Sequence, residues 1–406
     1  MLRAWMHLVL SLWFAPWFAV TAAAQDLSVL ARVDVANSFI AERDDGLEFQ
    51  LALSQGVPFR VFTLDGPPRL IVDFREVSFD GVSQQALLDD ATAFTAMRFG
   101  VFRPGWSRIV ADLRSPMVLK TAGMPVDTDS GRARLKVVLQ NADEATFAAK
   151  STSSSDVGWT LEPAPATAPV TDDAFVIVID PGHGGVDPGA TRGDTIEKDL
   201  MLNVGIALRD ALRRTGQAQV VMTRDRDVFV SLKARVALAH QMRADLIISL
   251  HADTVAQGRA RGATVYTLSD EASDAASEQL ATQHNRADLI AGLDLSAADD
   301  QVTSVLLSLA RQETRPRTQQ LADALVAQLT VSGGPINRHP QRKGDFSVLR
   351  SADIPSVLVE LGFMSDERDL KNLQDADWRA GIVAALARAI LEWRSDDLAT
   401  RALVRQ

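Results

Sequence analysis

The 406-residue sequence has no cysteine. Disulfide frameworks and thiolate metal sites are therefore excluded, a composition that suits an exported protein. No excess of basic residues is present either: 42 Lys and Arg stand against 52 Asp and Glu, a formal charge of -10. Without a basic stripe, nucleic acid binding is excluded as a main task. Beyond the N-terminal 24 residues, no apolar run reaches the ~18 residues of a membrane span. Histidine is scarce, and none lies between His7 and His183. The first part of the chain thus offers no imidazole for catalysis or metal binding.

The N-terminus has the three parts of a secretory signal. Arg3 gives a positive start, Leu8 to Val20 is apolar, and Ala22-Ala23-Ala24 precedes Gln25 as a cleavage site. Residues 1–24 are expected to be removed. The competing reading, an uncleaved membrane anchor, is disfavoured by the short apolar core. The mature chain is expected to lack a membrane anchor.

Residues 25–147 alternate in hydropathy. Leu47, Phe49, Leu51 and Leu53 share one face of a strand, and Phe59–Leu64, Arg69–Phe74, Ser107–Leu113 and Arg134–Leu139 continue the series. Gly66-Pro67-Pro68 marks a turn. Short strands between turn signals predict an all-β sandwich or small barrel. It has the character of a binding or targeting module, with Trp106 and Arg103 as candidate glycan contacts or simple packing residues. Residues 148–173, rich in Ser, Pro and Ala, read as a flexible linker.

From residue 174 to 398, strand and helix signals alternate, which argues for an α/β sheet covered by helices. Val176–Ile179 is a buried-strand run, and Asp180-Pro181-Gly182 ends it just before His183. His251 follows the strand 244–250, and Glu360 follows the strand 356–359. All three fall beyond the C-terminal ends of strands, the edge where open α/β sheets bind ligands. Glu197 opens a helix whose Leu200, Val204, Leu208 and Leu212 share one face. Two histidines and one carboxylate are a usual catalytic zinc set, and a second carboxylate would serve as general base. Each residue alone has a plainer reading: a strand-end histidine, a helix N-terminal carboxylate, a salt-bridge partner or part of a phosphate loop. The last is ruled out, because the glycine loop lacks the third glycine of a dinucleotide fingerprint and no GK[ST] follows. His240 lies within a helical run and is not a ligand candidate. His339, in the polar stretch Asn337–Arg342, is a candidate border of a substrate groove, and that stretch reads as a loop.

Residues 270–316 form an acidic, Ala-rich insert, too long for a simple connection. Ala276, Leu280, His284 and Ala287 are spaced for one helical face, as are Val302, Val305, Leu306 and Leu309.

The motifs IDPGHGGVDPGA, Glu197-Lys198, VVMTRDRDVFVSLKARVALA, SLHAD and VLVELGFMS occur in that order. Together they resemble the zinc-dependent N-acetylmuramoyl-L-alanine amidases of cell division. The first part resembles the AMIN domain, through PPRLIVDF and RFGVFRPGWSRIVADL. The resemblance implies a mixed-sheet α/β domain of the zinc-exopeptidase type behind an AMIN-like sandwich. It implies one Zn²⁺ per chain on His183, Glu197 and His251, with Glu360 as the catalytic carboxylate. The substrate implied is peptidoglycan, cut between N-acetylmuramic acid and L-alanine of the stem peptide. A zinc carboxypeptidase acting on wall peptides is the alternative on the same fold.

In these amidases the insert forms a helix that blocks the metal until a periplasmic activator, of the LytM-domain type, displaces it. Relatives place Glu where this chain has His284, so His284 is the candidate inhibitory ligand, with Glu278 as the alternative. Val302, Val305, Leu306 and Leu309 are candidates for an activator-binding face, or for a face packed on the catalytic domain. The expected protein is a periplasmic monomer enriched at the division septum.

Overall fold

Alternating apolar residues build the first part of the chain into two facing sheets. The computed structural model describes residues 30–404, apart from 76, 89–90, 104, 128–129, 152–173, 256–259 and 292–303. It also does not describe the side chains of 289–290, 304–310 and 401–404. The expected signal peptide, 1–24, and most of the expected linker lie outside the described residues.

The strands of the first domain are β1 (Ala31–Arg43), β2 (Gly46–Leu53), β3 (Phe59–Leu64), β4 (Arg69–Arg75), β5 (Val77–Ser78), β6 (Phe94–Arg103), β7 (Trp106–Leu113), β8 (Met117–Gly123) and β9 (Ala133–Asn141). A five-stranded sheet, β5-β1-β2-β9-β8, faces a four-stranded sheet, β3-β4-β7-β6. Leu47, Phe49 and Leu51 from one sheet meet Leu70, Val72, Phe74, Ile109 and Ala111 from the other in a single core. This is the expected sandwich, since each sheet buries its alternate residues against the other. A short helix α1 (Gln84–Leu88) packs beside β1, and α2 (Glu144–Lys150) closes the domain with Phe147 in the core. Residues 148–150, expected as linker, thus continue a helix capped by Asp143. Trp106 is half-buried on the β6–β7 hairpin, with the Arg103 guanidinium 4.9 Å from its ring and that of Arg75 at 5.9 Å.

The second domain runs β10 (Val176–Pro181), β11 (Thr191–Arg192), β12 (Thr195–Ile196), α3 (Glu197–Arg214), β13 (Gln219–Met222), α4 (Leu232–Gln241), β14 (Leu246–His251), β15 (Ala263–Leu268), α5 (Ala275–Asn285), α6 (Ala287–Ile290), α7 (Ser304–Val331), β16 (Ile336–Gly344), β17 (Ser356–Glu360), α8 (Glu367–Gln374) and α9 (Ala376–Val404). Its sheet has the order β13-β10-β14-β17-β15-β16. The first four strands are mutually parallel, while β15 runs antiparallel to β17 and parallel to β16, so the sheet is mixed.

Strand β10 lies between β13 and β14, so the chain leaves it toward one edge and later returns on its other side. The crevice beside β10 and β14 is therefore a topological switch point, where ligand sites form. Helices α3, α7 and α9 cover one face through Leu208, Leu212, Leu321, Leu325, Leu386 and Ile390. Helix α4 covers the other face through Leu238 and Ala239. Among the described residues, no helix is long and apolar enough to cross a membrane.

One expectation changes. The stretch Asn337–Arg342 is edge strand β16 rather than a loop, and His339 is exposed on it. Pro340 is tolerated there because an edge strand leaves some N–H groups unpaired. The last part of the expected insert, 270–316, is the N-terminal portion of α7, which continues through Pro316.

Leu208 is fully buried under the sheet. Leu208→Ala is expected to destabilise the second domain by about 2–5 kcal/mol, read as a lower thermal midpoint. A change at the level of a surface substitution would contradict this packing.

Candidate metal centre

Strand β10 ends in a loop held by two buried arginines. Arg224 donates to the carbonyls of Pro181 (3.0 Å), Gly182 (2.7 Å) and Lys198 (2.8 Å). Arg235 donates to Asp180 Oδ1 (2.6 Å) and to the carbonyls of Pro181 (3.1 Å) and His183 (3.0 Å). Asp180 also accepts from Thr223 and Ser249, at 2.6 and 2.7 Å. Burial alone would raise the Asp180 pKa, but Arg235 and these hydroxyls hold it below its ordinary value. The loop can therefore keep His183 at a φ of +60°, a left-handed conformation costly for a non-glycine residue. Gly182 is required by close approach, since a Cβ there would run into the His251 ring.

The side chains then converge. His183 Nδ1 lies 2.9 Å from Asp187 Oδ2, which turns Nε2 inward. His183 Nε2 is 3.2 Å from Glu197 Oε2, and His251 Nδ1 is 3.2 Å from Glu197 Oε1. Glu197 starts α3, where a carboxylate is favoured by the helix dipole. It is fixed by the Ala190 and Ala252 N–H groups at 2.8 and 2.9 Å. Asp253 Oδ2 stands 3.6 Å from His251 Nδ1 and 4.0 Å from His183 Nε2. Glu360 is paired in register with His251 across β14 and β17, and its Oε2 accepts from the Asp253 N–H at 3.0 Å.

His284 arrives from α5. Asp274 caps that helix, and Leu280 and Ala281 pack against Phe346 and Leu358. Asn285 locks the far end by donating to the Asp345 carbonyl (2.7 Å) and accepting from the Ser347 N–H (2.8 Å). Ala276, Leu280, His284 and Ala287, expected on one face, are all buried or half-buried. His284 Nε2 lies 2.6 Å from Asp253 Oδ2 and 3.6 Å from Glu360 Oε1. The first contact is close but lacks the alignment of a hydrogen bond. Glu278 is exposed on the same helix, away from this cluster. Val302 lies outside the described residues, and so do the side chains of Val305, Leu306 and Leu309 on α7.

Electrostatically the site is crowded. Burial and the adjacent Asp253 would raise the Glu197 pKa, but the His183 and His251 rings prevail and hold it at about 2. Burial pushes Glu360 up to about 7 against the pull of His284. Burial would lower the His284 pKa, yet Asp253 and Glu360 outweigh it and raise it to about 10.

Four buried atoms, His183 Nε2, Asp253 Oδ2, His284 Nε2 and Glu360 Oε1, have no hydrogen-bond partner. Unsatisfied buried polar atoms are costly, and their convergence here is what a cation would resolve. The ligand atoms of His183, Glu197, His251 and Asp253 all lie within 4.8 Å of one another, as do those of Asp253, His284 and Glu360. The donor set fits a divalent metal that accepts nitrogen and oxygen ligands.

The sequence reading placed His183, Glu197, His251, Glu360 and His284 together, and they are together here. It missed Asp187 and Asp253, as well as Arg224 and Arg235. Asp253 lies in the same SLHAD stretch as His251, two residues on, which was the available signal. His240 is exposed and pairs with Asp353 at 2.9 Å, remote from the cluster.

Asp187 holds the His183 ring from behind, as carboxylates behind metal-binding histidines do. Asp187→Ala is expected to weaken metal affinity roughly 10–100-fold, measured by competition with a chelator. Wild-type affinity in a folded variant would show that Asp187 does not orient the ligand.

Comparison with known proteins places the chain in a family. A family model for N-acetylmuramoyl-L-alanine amidase matches residues 177–392, and one for the AMIN domain matches residues 38–139. The chain is 29% identical to N-acetylmuramoyl-L-alanine amidase AmiC of Escherichia coli O6:H1, over 95% of this chain and 94% of that one. It is 30% identical to AmiC of Neisseria meningitidis, over 84% of this chain and 85% of that one. Among solved structures it is similar to amidase AmiC2 of Nostoc punctiforme, 27% identical, covering 54% of this chain and 97% of that chain with a TM-score of 0.38. The chain belongs to the N-acetylmuramoyl-L-alanine amidase family and carries an AMIN domain ahead of its amidase domain.

Proposed function

We propose that this chain hydrolyses peptidoglycan at the amide between N-acetylmuramic acid and the L-alanine of the stem peptide, splitting septal wall as daughter cells separate. The observation that carries the reading is the buried cluster of His183, Glu197, His251 and Asp253 beside Glu360, in a chain of this family. His183 Nε2, Glu197 and His251 Nδ1 would hold one Zn²⁺, with Asp253 close by. Bound there, zinc supplies a Lewis acid for the amide carbonyl and lowers the pKa of water toward about 7.

The remaining work falls to protein groups. An amide leaves as a poor leaving group unless its nitrogen is protonated. Glu360 would take a proton from the attacking water at Oε1 and deliver it to the departing alanine nitrogen. Burial pushes this carboxyl up from its ordinary range, toward the operating pH that suits a group which must both take and give a proton. Its Oε2 is held by the Asp253 N–H, which aims Oε1 into the cluster.

His284 would close the site at rest. Helix α5 carries it to 2.6 Å from Asp253 and 3.6 Å from Glu360, where it would exclude substrate and occupy the general base. A periplasmic activator, with a LytM-type domain as the candidate class, would lift α5. Residues 1–24 would direct export to the periplasm, the AMIN domain would target the wall, and 152–173 would join the two domains.

The test is digestion of purified sacculi by zinc-loaded mature protein. Intact stem peptides bearing a free L-alanine amine are expected, whereas trimmed peptides would overturn the reading in favour of a carboxypeptidase. Glu360→Gln is expected to abolish hydrolysis while zinc remains bound, seen by metal analysis. Loss of zinc would instead make Glu360 a ligand. His284→Ala is expected to raise hydrolysis measured without activator. Unchanged basal hydrolysis in a zinc-loaded variant would remove His284 from the inhibitory role.

A further inference from the structure

The outer face of the β3-β4-β7-β6 sheet is covered by the amidase domain. Phe62, Leu64, Ile71 and Val110 of the AMIN domain form one apolar cluster with Val186, Phe229 and Ala291. The Phe229 N–H donates to the Val101 carbonyl at 3.2 Å, and the Phe102 ring stacks on Phe229 with centroids 6.1 Å apart. Gly100 approaches Gly185 so closely that a Cβ would stand 2.7 Å from the Gly185 carbonyl carbon. At the centre, buried Arg108 pairs with buried Asp73 at 2.6 and 2.9 Å and donates through Nη1 to the Ala291 carbonyl at 2.9 Å.

The three amidase segments in this contact are telling. Gly185 and Val186 belong to the His183 loop, and Phe229 precedes α4. Ala291 ends the segment that carries His284: its N–H bonds to the Ala287 carbonyl, which makes it the last turn of α6. Carbonyls at a helix end lack intrahelical partners, and Arg108 satisfies this one with a charge-assisted bond in an apolar setting. Asp288, one turn earlier, accepts from the Leu232 N–H at 2.9 Å and ties the same segment to α4.

We propose that the AMIN domain is an intramolecular clamp: docked on the amidase domain, it holds the C-terminal end of the α5–α6 segment and so retains His284 in the metal site. The clamp rests on the reading of α5 as the inhibitory helix. Undocking leaves the end of α6 tied only from its own domain, and α5 is released more easily. Undocking breaks the Arg108–Ala291 bond, while Arg108 stays paired with Asp73 and both regain water. The apolar residues around the pair favour the docked state.

Gly100→Val in the full chain tests this. Gly100 lies in strand β6 without a positive φ, and a β-branched residue suits a strand, so the AMIN fold is kept while docking is blocked. Hydrogen exchange reads the outcome directly. The expected result is faster exchange at the Phe229 amide and, by roughly tenfold, across residues 275–291, with the β2, β4 and β9 core unchanged. Sacculus hydrolysis without activator is expected to rise several-fold. Faster exchange at Phe229 with unchanged exchange across 275–291 would overturn the clamp. Phe102→Glu is the second variant. If neither variant changes exchange at Phe229, the docked state is not populated in solution, and the proposal also falls. Faster exchange across 275–291 with unchanged hydrolysis would support the clamp and count against the inhibitory role of α5 instead.

Discussion

Charge buried at one sheet edge governs the second domain. Asp187, Glu197, Asp253 and Glu360 bring four carboxyl groups among three imidazoles, all buried. Carboxylates packed this closely repel strongly where the dielectric is low. Backbone N–H groups satisfy part of the set, at Glu197 and Glu360. What remains unpaired points to one place. The sheet supplies the geometry for this because β10, β14 and β17 are parallel neighbours, so residues just past their ends must come together.

Around that centre the protein uses fixed cations to hold backbone rather than to neutralise the acids. Arg224 and Arg235 spend most of their donors on carbonyls of the β10 loop. Lys198 does likewise, bonding to the Gly185 carbonyl at 2.9 Å and to Asp227 at 2.6 Å, while Asp227 accepts from the Gly185 N–H. Had these side chains reached the carboxylates instead, the cluster would be satisfied without a metal. The arrangement keeps the loop rigid and leaves the acids available.

Much of this was legible in residue order. The strands carrying His183, His251 and Glu360 are short apolar runs, and each ends at its polar residue, so their shared edge could be inferred. The first domain was readable where alternation was clean, as in β2 and β9, or where an apolar run stood out, as in β4. It was not readable in β1 or β8, because both strands carry register shifts, between Asp34 and Phe39 and between Leu119 and Thr121. An inserted residue reverses the alternation, and the period-2 signal cancels. Asp253 and the two buried arginines were hidden for another reason. Charged residues are mostly solvent-exposed, and only tertiary contacts reveal the ones that are not. The docking of the two domains left no signal at all, since its apolar residues also belong to ordinary strands.

The ties on α5 and α6 set how readily the segment that carries His284 leaves its place. Asp274 caps the start, Asn285 bonds on both sides of the following turn, Asp288 grips α4 and Ala291 meets Arg108. At about 1 kcal/mol each, four such ties make spontaneous release of the whole segment on the order of a hundredfold rarer than loss of one of them. If α5 covers the metal site at rest, as proposed, that cover is a joint event of several weak bonds, so the breaking of a single contact leaves the segment in place.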